Sequence, residues 1–95
     1  MVKHVVLFEF KKDQMDKIEE AERLLKSLKS KIALIQSIET GINFLESDRS
    51  FDLSLIISFK TQEDLAIYAN HPEHVPVKDA IALMVQRSVS VDYEI

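Results

Sequence analysis

The chain has 95 residues, a length for which one domain spanning 1–95 is the default. It contains no cysteine, which excludes disulfides, thiolate metal sites and cysteine nucleophiles and fits a reducing, cytoplasmic setting. Net charge is −4 with both signs interspersed, so no basic stripe presents itself to nucleic acid, and the opening MVKHVVLFEF reads as neither a signal peptide nor a membrane span. A domain this small has little core of its own, and oligomerisation is the remaining route to further burial.

Residues 2–10 read as a strand, with Val2, His4, Val6, Phe8 and Phe10 on one face and Lys3, Val5, Leu7 and Glu9 on the other. Residues 13–33 read as a long helix, because Ile18, Ala21, Leu25, Leu28 and Ile32 recur at helical spacing, with Asp13 as its N-cap. Its early glutamates and late lysines complement the helix dipole and mark a solvated face. Residues 36–44 form a second predicted strand and residues 51–59 a third, in which Phe51, Leu53, Leu55, Ile57 and Phe59 alternate cleanly with Asp52, Ser54, Ile56 and Ser58. Thr61 then caps a short helix that ends near His71, since Pro72 disfavours helical geometry before it. A last helix starts around Val75 or Pro76, and residues 88–93 close the chain as a strand.

This order, β-α-β-β-α-β, is the ferredoxin-like pattern, an α+β fold with a four-stranded antiparallel sheet and its helices on one face. The alternation assigns Val6, Phe8, Leu55 and Val89 to the helix-covered face. It assigns Val5, Leu7 and Ile56, with Gly41, Ser54, Ser58, Ser88 and Ser90, to the other. That second face is too apolar for open solvent and too lined with small groups for a monomer's core. It suits packing against a second copy, and a homodimer through this sheet face is the expectation.

The stretch YANHPEHVPV, residues 68–77, holds both prolines and two of the three histidines. It joins the two short helices on the helical side of the sheet, where His4 also points. His4, Tyr68, His71 and His74 are therefore candidates to converge on one space. A neutral histidine at a helix N-terminus accepts a proton, and a tyrosine hydroxyl donates to a carbonyl or developing oxyanion. Together they suffice for proton abstraction beside a carbonyl without a metal or cofactor. Each residue also has a structural reading: His71 and His74 as caps, Tyr68 and His4 as core. Two histidines three apart make no zinc signature, Asp52 and Asp92 read onto the opposite sheet face, and the single glycine allows no phosphate loop.

VKHVVLFEF, the HPEHV corner and the terminal VDYEI together resemble the stress-responsive A/B barrel domain family over Val2 to Glu94. The resemblance implies a dimeric α/β barrel in which each subunit presents its sheet to the other. A plant member of that family cyclises a linear polyketide without cofactor, using a tyrosine and the second histidine of the corner, which match Tyr68 and His74. A further pocket histidine matches His4. Another, near the start of the third strand, is replaced here by Leu53. The expected site is thus Tyr68 and His74 as acid and base, with His4, His71, Val6, Phe8, Leu53 and Leu55 lining a pocket for a small carbonyl or aromatic, polyketide-like compound. The implied activity is of a cyclase or lyase type. A non-catalytic dimeric stress protein and a cofactor-free monooxygenase are the alternatives.

Overall fold

The computed structural model describes all 95 residues. Strand β1 (Val2–Phe10) leads through a 3-10 segment (Lys12–Lys17) into α1 (Ile18–Lys31). Then come β2 (Ser37–Ile42), β3 (Leu53–Phe59), α2 (Gln62–Ala69), α3 (His74–Ala82) and β4 (Val85–Glu94). The four strands form one antiparallel sheet in the order β2-β3-β1-β4. This is the ferredoxin-like α+β fold expected from the chain order. No helix is long and apolar enough to cross a membrane.

The core lies between the sheet and the helices. Val2, Phe8 and Phe10 of β1 and Leu53, Leu55, Ile57 and Phe59 of β3 are buried against Ile18, Ala21, Leu25 and Leu28 of α1. Tyr68 of α2 and Val77 and Ile81 of α3 complete the cluster. The register explains why these residues share a face: Val6 opposes Leu55 and Phe8 opposes Leu53 across β1 and β3.

Several boundaries differ from the sequence expectation, each for a local reason. Asp13 does not cap a helix. The Lys11 N–H is held by the Met84 carbonyl at 3.0 Å, and the chain turns first through a tighter bond from the Gln14 N–H to the Lys11 carbonyl at 2.9 Å, so the α-helix begins only at Ile18. β3 starts at Leu53 rather than 51, because the Asp52 carboxylate accepts from the Phe10 N–H at 2.7 Å and ties the entry to the end of β1. β2 is correspondingly trimmed at both ends. Thr61 does cap α2, accepting from the Asp64 N–H at 3.1 Å. α3 begins at His74, and β4 is longer than 88–93, since a register shift at Glu9/Phe10 brings Val85 opposite Phe10.

One correction changes the site. Val89 pairs with Leu7, whereas Ser88 pairs with Phe8, Ser90 with Val6 and Asp92 with His4. Ser88, Ser90 and Asp92 therefore lie on the helix-covered face. Val89, Val91 and Tyr93 lie on the outer face, where each is more than two-fifths exposed. Reading the apolar parity of β4 as the inner one fails because the inner face is hollow here and the outer face is the greasy one.

Candidate active site

Two side chains of the site come from the corner between α2 and α3. The Thr61 cap sets where α2 starts, and seven residues later Tyr68 turns inward, 2% exposed, with its ring 5.1 Å from that of Phe59. Pro72 then stops the helix. His71 stabilises the turn that follows. Its Nδ1 accepts from the Glu73 N–H at 3.0 Å, and its carbonyl accepts from the backbone N–H groups of His74 and Val75 at 2.9 and 3.1 Å. The imidazole of His71 is thus committed to the backbone, and His71 is absent from the cavity wall.

His74 opens α3 and folds back over Tyr68. The two rings stack with centroids 4.1 Å apart and planes 24° from parallel. His74 Nδ1 lies 3.2 Å from the Ala69 carbonyl, which can only accept, so the Nδ1–H donates. In the neutral ring this fixes the tautomer and leaves Nε2 with a free lone pair. Burial lowers the His74 pKa below 6.5. The positive charges of Lys78 and His4 act in the same direction, against the backbone hydrogen bonds to Ala69 and Tyr68. Burial acts oppositely on Tyr68, raising its pKa and keeping the phenol protonated. The corner therefore carries a neutral base stacked on a neutral donor.

β1 supplies the third group. His4 meets the Tyr68 ring edge-on at 6.1 Å, and its Nδ1 is hydrogen-bonded to the Asp92 carboxylate across the β1–β4 ladder. Asp92 holds that ring's orientation as a carboxylate holds a catalytic histidine. Sequence reading placed Asp92 on the wrong face and missed this pairing. The register of β4 against β1 carries the signal, and one strand's alternation alone cannot reveal it.

These groups border a half-enclosed cavity of about 380 Å³ between sheet and helices. His4, Val6 and Phe8 of β1 and Leu55 of β3 line it, as expected, with Tyr68 and His74. Leu65, Val77, Ile81 and Val85 add apolar wall, and Ser88, Ser90 and Lys78 are lining residues that the sequence did not point to. Leu53 is buried in the core beside Phe8 but does not reach the cavity, which sits over β1 and β4 and takes only Leu55 from β3. No group of three or more His, Asp or Glu side chains is close enough together to hold a metal ion. The arrangement can take a proton at His74 Nε2 and donate a hydrogen bond from the Tyr68 hydroxyl, within a largely apolar space.

The chain and its fold have relatives. A stress-response A/B barrel domain-containing protein of Arabidopsis thaliana is 26% identical over 98% of this chain and 85% of its own length. A dimeric protein of unknown function with a ferredoxin-like fold from Bacteroides fragilis is 30% identical over 99% of this chain and 95% of its own, with a TM-score of 0.86. A solved structure of another Arabidopsis thaliana protein is 24% identical over 100% and 95% of the two chains, with a TM-score of 0.89. The fold alone is shared with a hydroxynitrile lyase from Passiflora edulis and with an antibiotic biosynthesis monooxygenase, both under 20% identical. The family model of the stress responsive A/B barrel domain, Dabb, matches residues 2–95, and the chain belongs to that family.

Proposed function

We propose that the protein binds a small carbonyl compound, aromatic or polyketide-like, in the sheet–helix cavity and converts it by proton transfer at His74 and Tyr68 without a cofactor. The observation that carries this reading is the stacked pair, in which the Ala69 carbonyl occupies one nitrogen of His74 and leaves Nε2 as the base. In the step envisaged, Nε2 removes a proton from the carbon next to the carbonyl. The C–H electron pair moves into the new C=C bond, and the oxygen, as it gains negative charge, accepts a hydrogen bond from the Tyr68 hydroxyl. The resulting carbon nucleophile attacks a second carbonyl of the same molecule in a cyclase, or expels a leaving group in a lyase. A cavity of about 380 Å³ counts against a purely structural role, for which a filled core is the economical solution.

The same reading takes the working form to be a homodimer through the outer sheet face. Exposed Leu7, Val89, Val91 and Tyr93 support it, as does the dimeric state ascribed to ferredoxin-like relatives.

The test is deuterium exchange at the carbon next to the carbonyl of a bound ketone in heavy water, followed by NMR. Wild type is expected to accelerate exchange, and His74→Ala to lose roughly 10²–10⁴-fold of that acceleration. Unchanged exchange in the folded variant removes His74 from the chemistry.

A further inference from the structure

The cavity wall contains one permanent cation and no carboxylate. Lys78 follows His74 by four residues on α3, so the two stand on the same helix face one turn apart, and both line the cavity. The ion pairs of the protein are His4 with Asp92 and Arg87 with Glu9, and neither involves Lys78. Asp92, which holds His4 from outside the cavity wall, is already engaged by that ring. Across from the helix, Ser88 and Ser90 bring two hydroxyls to the sheet side of the same cavity.

An unpaired lysine on open surface is ordinary. This one is exposed on its outer side yet lines a mostly apolar space one helical turn from His74, so a ligand seated there meets its charge. Its field reaches the site, since its charge disfavours protonation of His74. The protein as a whole is acidic at −4, so this local positive field runs against the overall charge. A single ammonium with neutral hydroxyls opposite suits one negative charge. The site has no arginine fork and no glycine-rich loop of the kind that cradles a phosphate.

We infer that Lys78 is a specificity residue that takes the carboxylate of the ligand, so that the compound handled in this cavity is an organic keto acid, with its carboxylate on Lys78 and its carbonyl on Tyr68. This rests on the cavity reading above and narrows it to one substrate class. The acid anchors one end of the molecule, the carbonyl meets the tyrosine, and the carbon between or beside them lies under His74.

Phenylpyruvate and its methyl ester form the test pair, since both carry an aromatic ring, a carbonyl and an acidic CH₂, and only one carries a charge. Binding of each is measured by calorimetry to wild type, Lys78→Met and Lys78→Glu, with the His4 and His74 ring signals followed by NMR. Wild type is expected to bind the acid about tenfold to a hundredfold tighter than the ester. Lys78→Met is expected to erase that preference and Lys78→Glu to reverse it, with ester binding retained in both. Lys78 is exposed, so neither change threatens the core. Equal binding of acid and ester to wild type, with the rings responding, overturns the inference and leaves the cavity reading standing. A preference for the acid that survives Lys78→Met also overturns it. If neither compound binds at millimolar concentration, the cavity reading fails and the inference fails with it.

Discussion

The two halves of the inner sheet face start from the same strand alternation and end in opposite states. Where α1 packs on β2 and β3, Leu28, Ile32 and Ile57 are sealed to 1% exposure or less. Where α2 meets β1 and α3 meets β4, a hollow of about 380 Å³ remains, with Ser88, Ser90, Ala69 and Ala82 among its lining. The β1–β3 and β2–β3 ladders run without a break, whereas the β1–β4 ladder shifts register at Glu9/Phe10 and carries serines inward. The cavity sits where small side chains of β4 and of the ends of α2 and α3 meet the apolar wall.

This contrast can be broken from either side. Leu28→Ala opens a hole in the filled half and is expected to cost about 2–5 kcal/mol in a denaturant melt. A loss under about 1 kcal/mol would mean that the filled half is as loose as the hollow one. Ser90→Leu does the reverse. It puts a large side chain into space that is already empty, so stability should move by no more than about 1 kcal/mol, while uptake of an aromatic ketone falls at least tenfold. A penalty of about 3 kcal/mol instead would show that the hollow is closed in solution. Thr61→Ala, which removes the cap that sets the start of α2, is expected to cost about 1 kcal/mol and to weaken the Tyr68–His74 stack, visible as a shift of the His74 ring signals.

The smallest effect is in the pH dependence. Burial holds the His74 pKa below its unfolded value of 6.5, so the unfolded chain binds the proton more readily. This contribution to stability is fully present above pH 6.5 and is lost as pH falls toward the folded pKa. Tyr68 is the mirror case. Its raised pKa contributes stability that is present below the unfolded value of 10.0 and lost at more alkaline pH. His74→Gln should flatten the acid limb of a thermal melt series and leave the alkaline limb in place.

The filled half was legible in the sequence because each of its residues obeys one rule, apolar inward, at a period of two or 3.6. The order of elements, the Thr61 cap, and the Tyr68, His74 and His4 cluster followed from the same kind of local reasoning. The hollow half was not legible in this way. In β4 the apolar residues Val89, Val91 and Tyr93 face out, and Ser88, Ser90 and Asp92 face in, so the parity rule returns the wrong face. Nothing in one strand indicates that its outer surface is the greasier one. The assignment needs the register of its neighbour. Lys78 escaped notice for a related reason: as one exposed lysine among many, it gains meaning only from the cavity beside it. His71 and His74 look alike in HPEH, and only the backbone partners separate the residue that holds the turn from the one that faces the cavity.

The pairing of His4 with Asp92 spans 88 positions, from the first strand to the last. Contacts so distant in sequence are the slow ones to form, because they must wait for the chain between them to be arranged. α2 and α3 can bring Tyr68 to His74 from a segment of a few residues. The floor beneath them, with Ser88, Ser90 and the carboxylate that orients His4, exists only after β4 has docked against β1. A partly folded chain therefore carries the stacked Tyr68 and His74 but no cavity beneath them. Under the proposed function, completion of the fold acts as the interlock on the chemistry, and unfinished molecules stay inert.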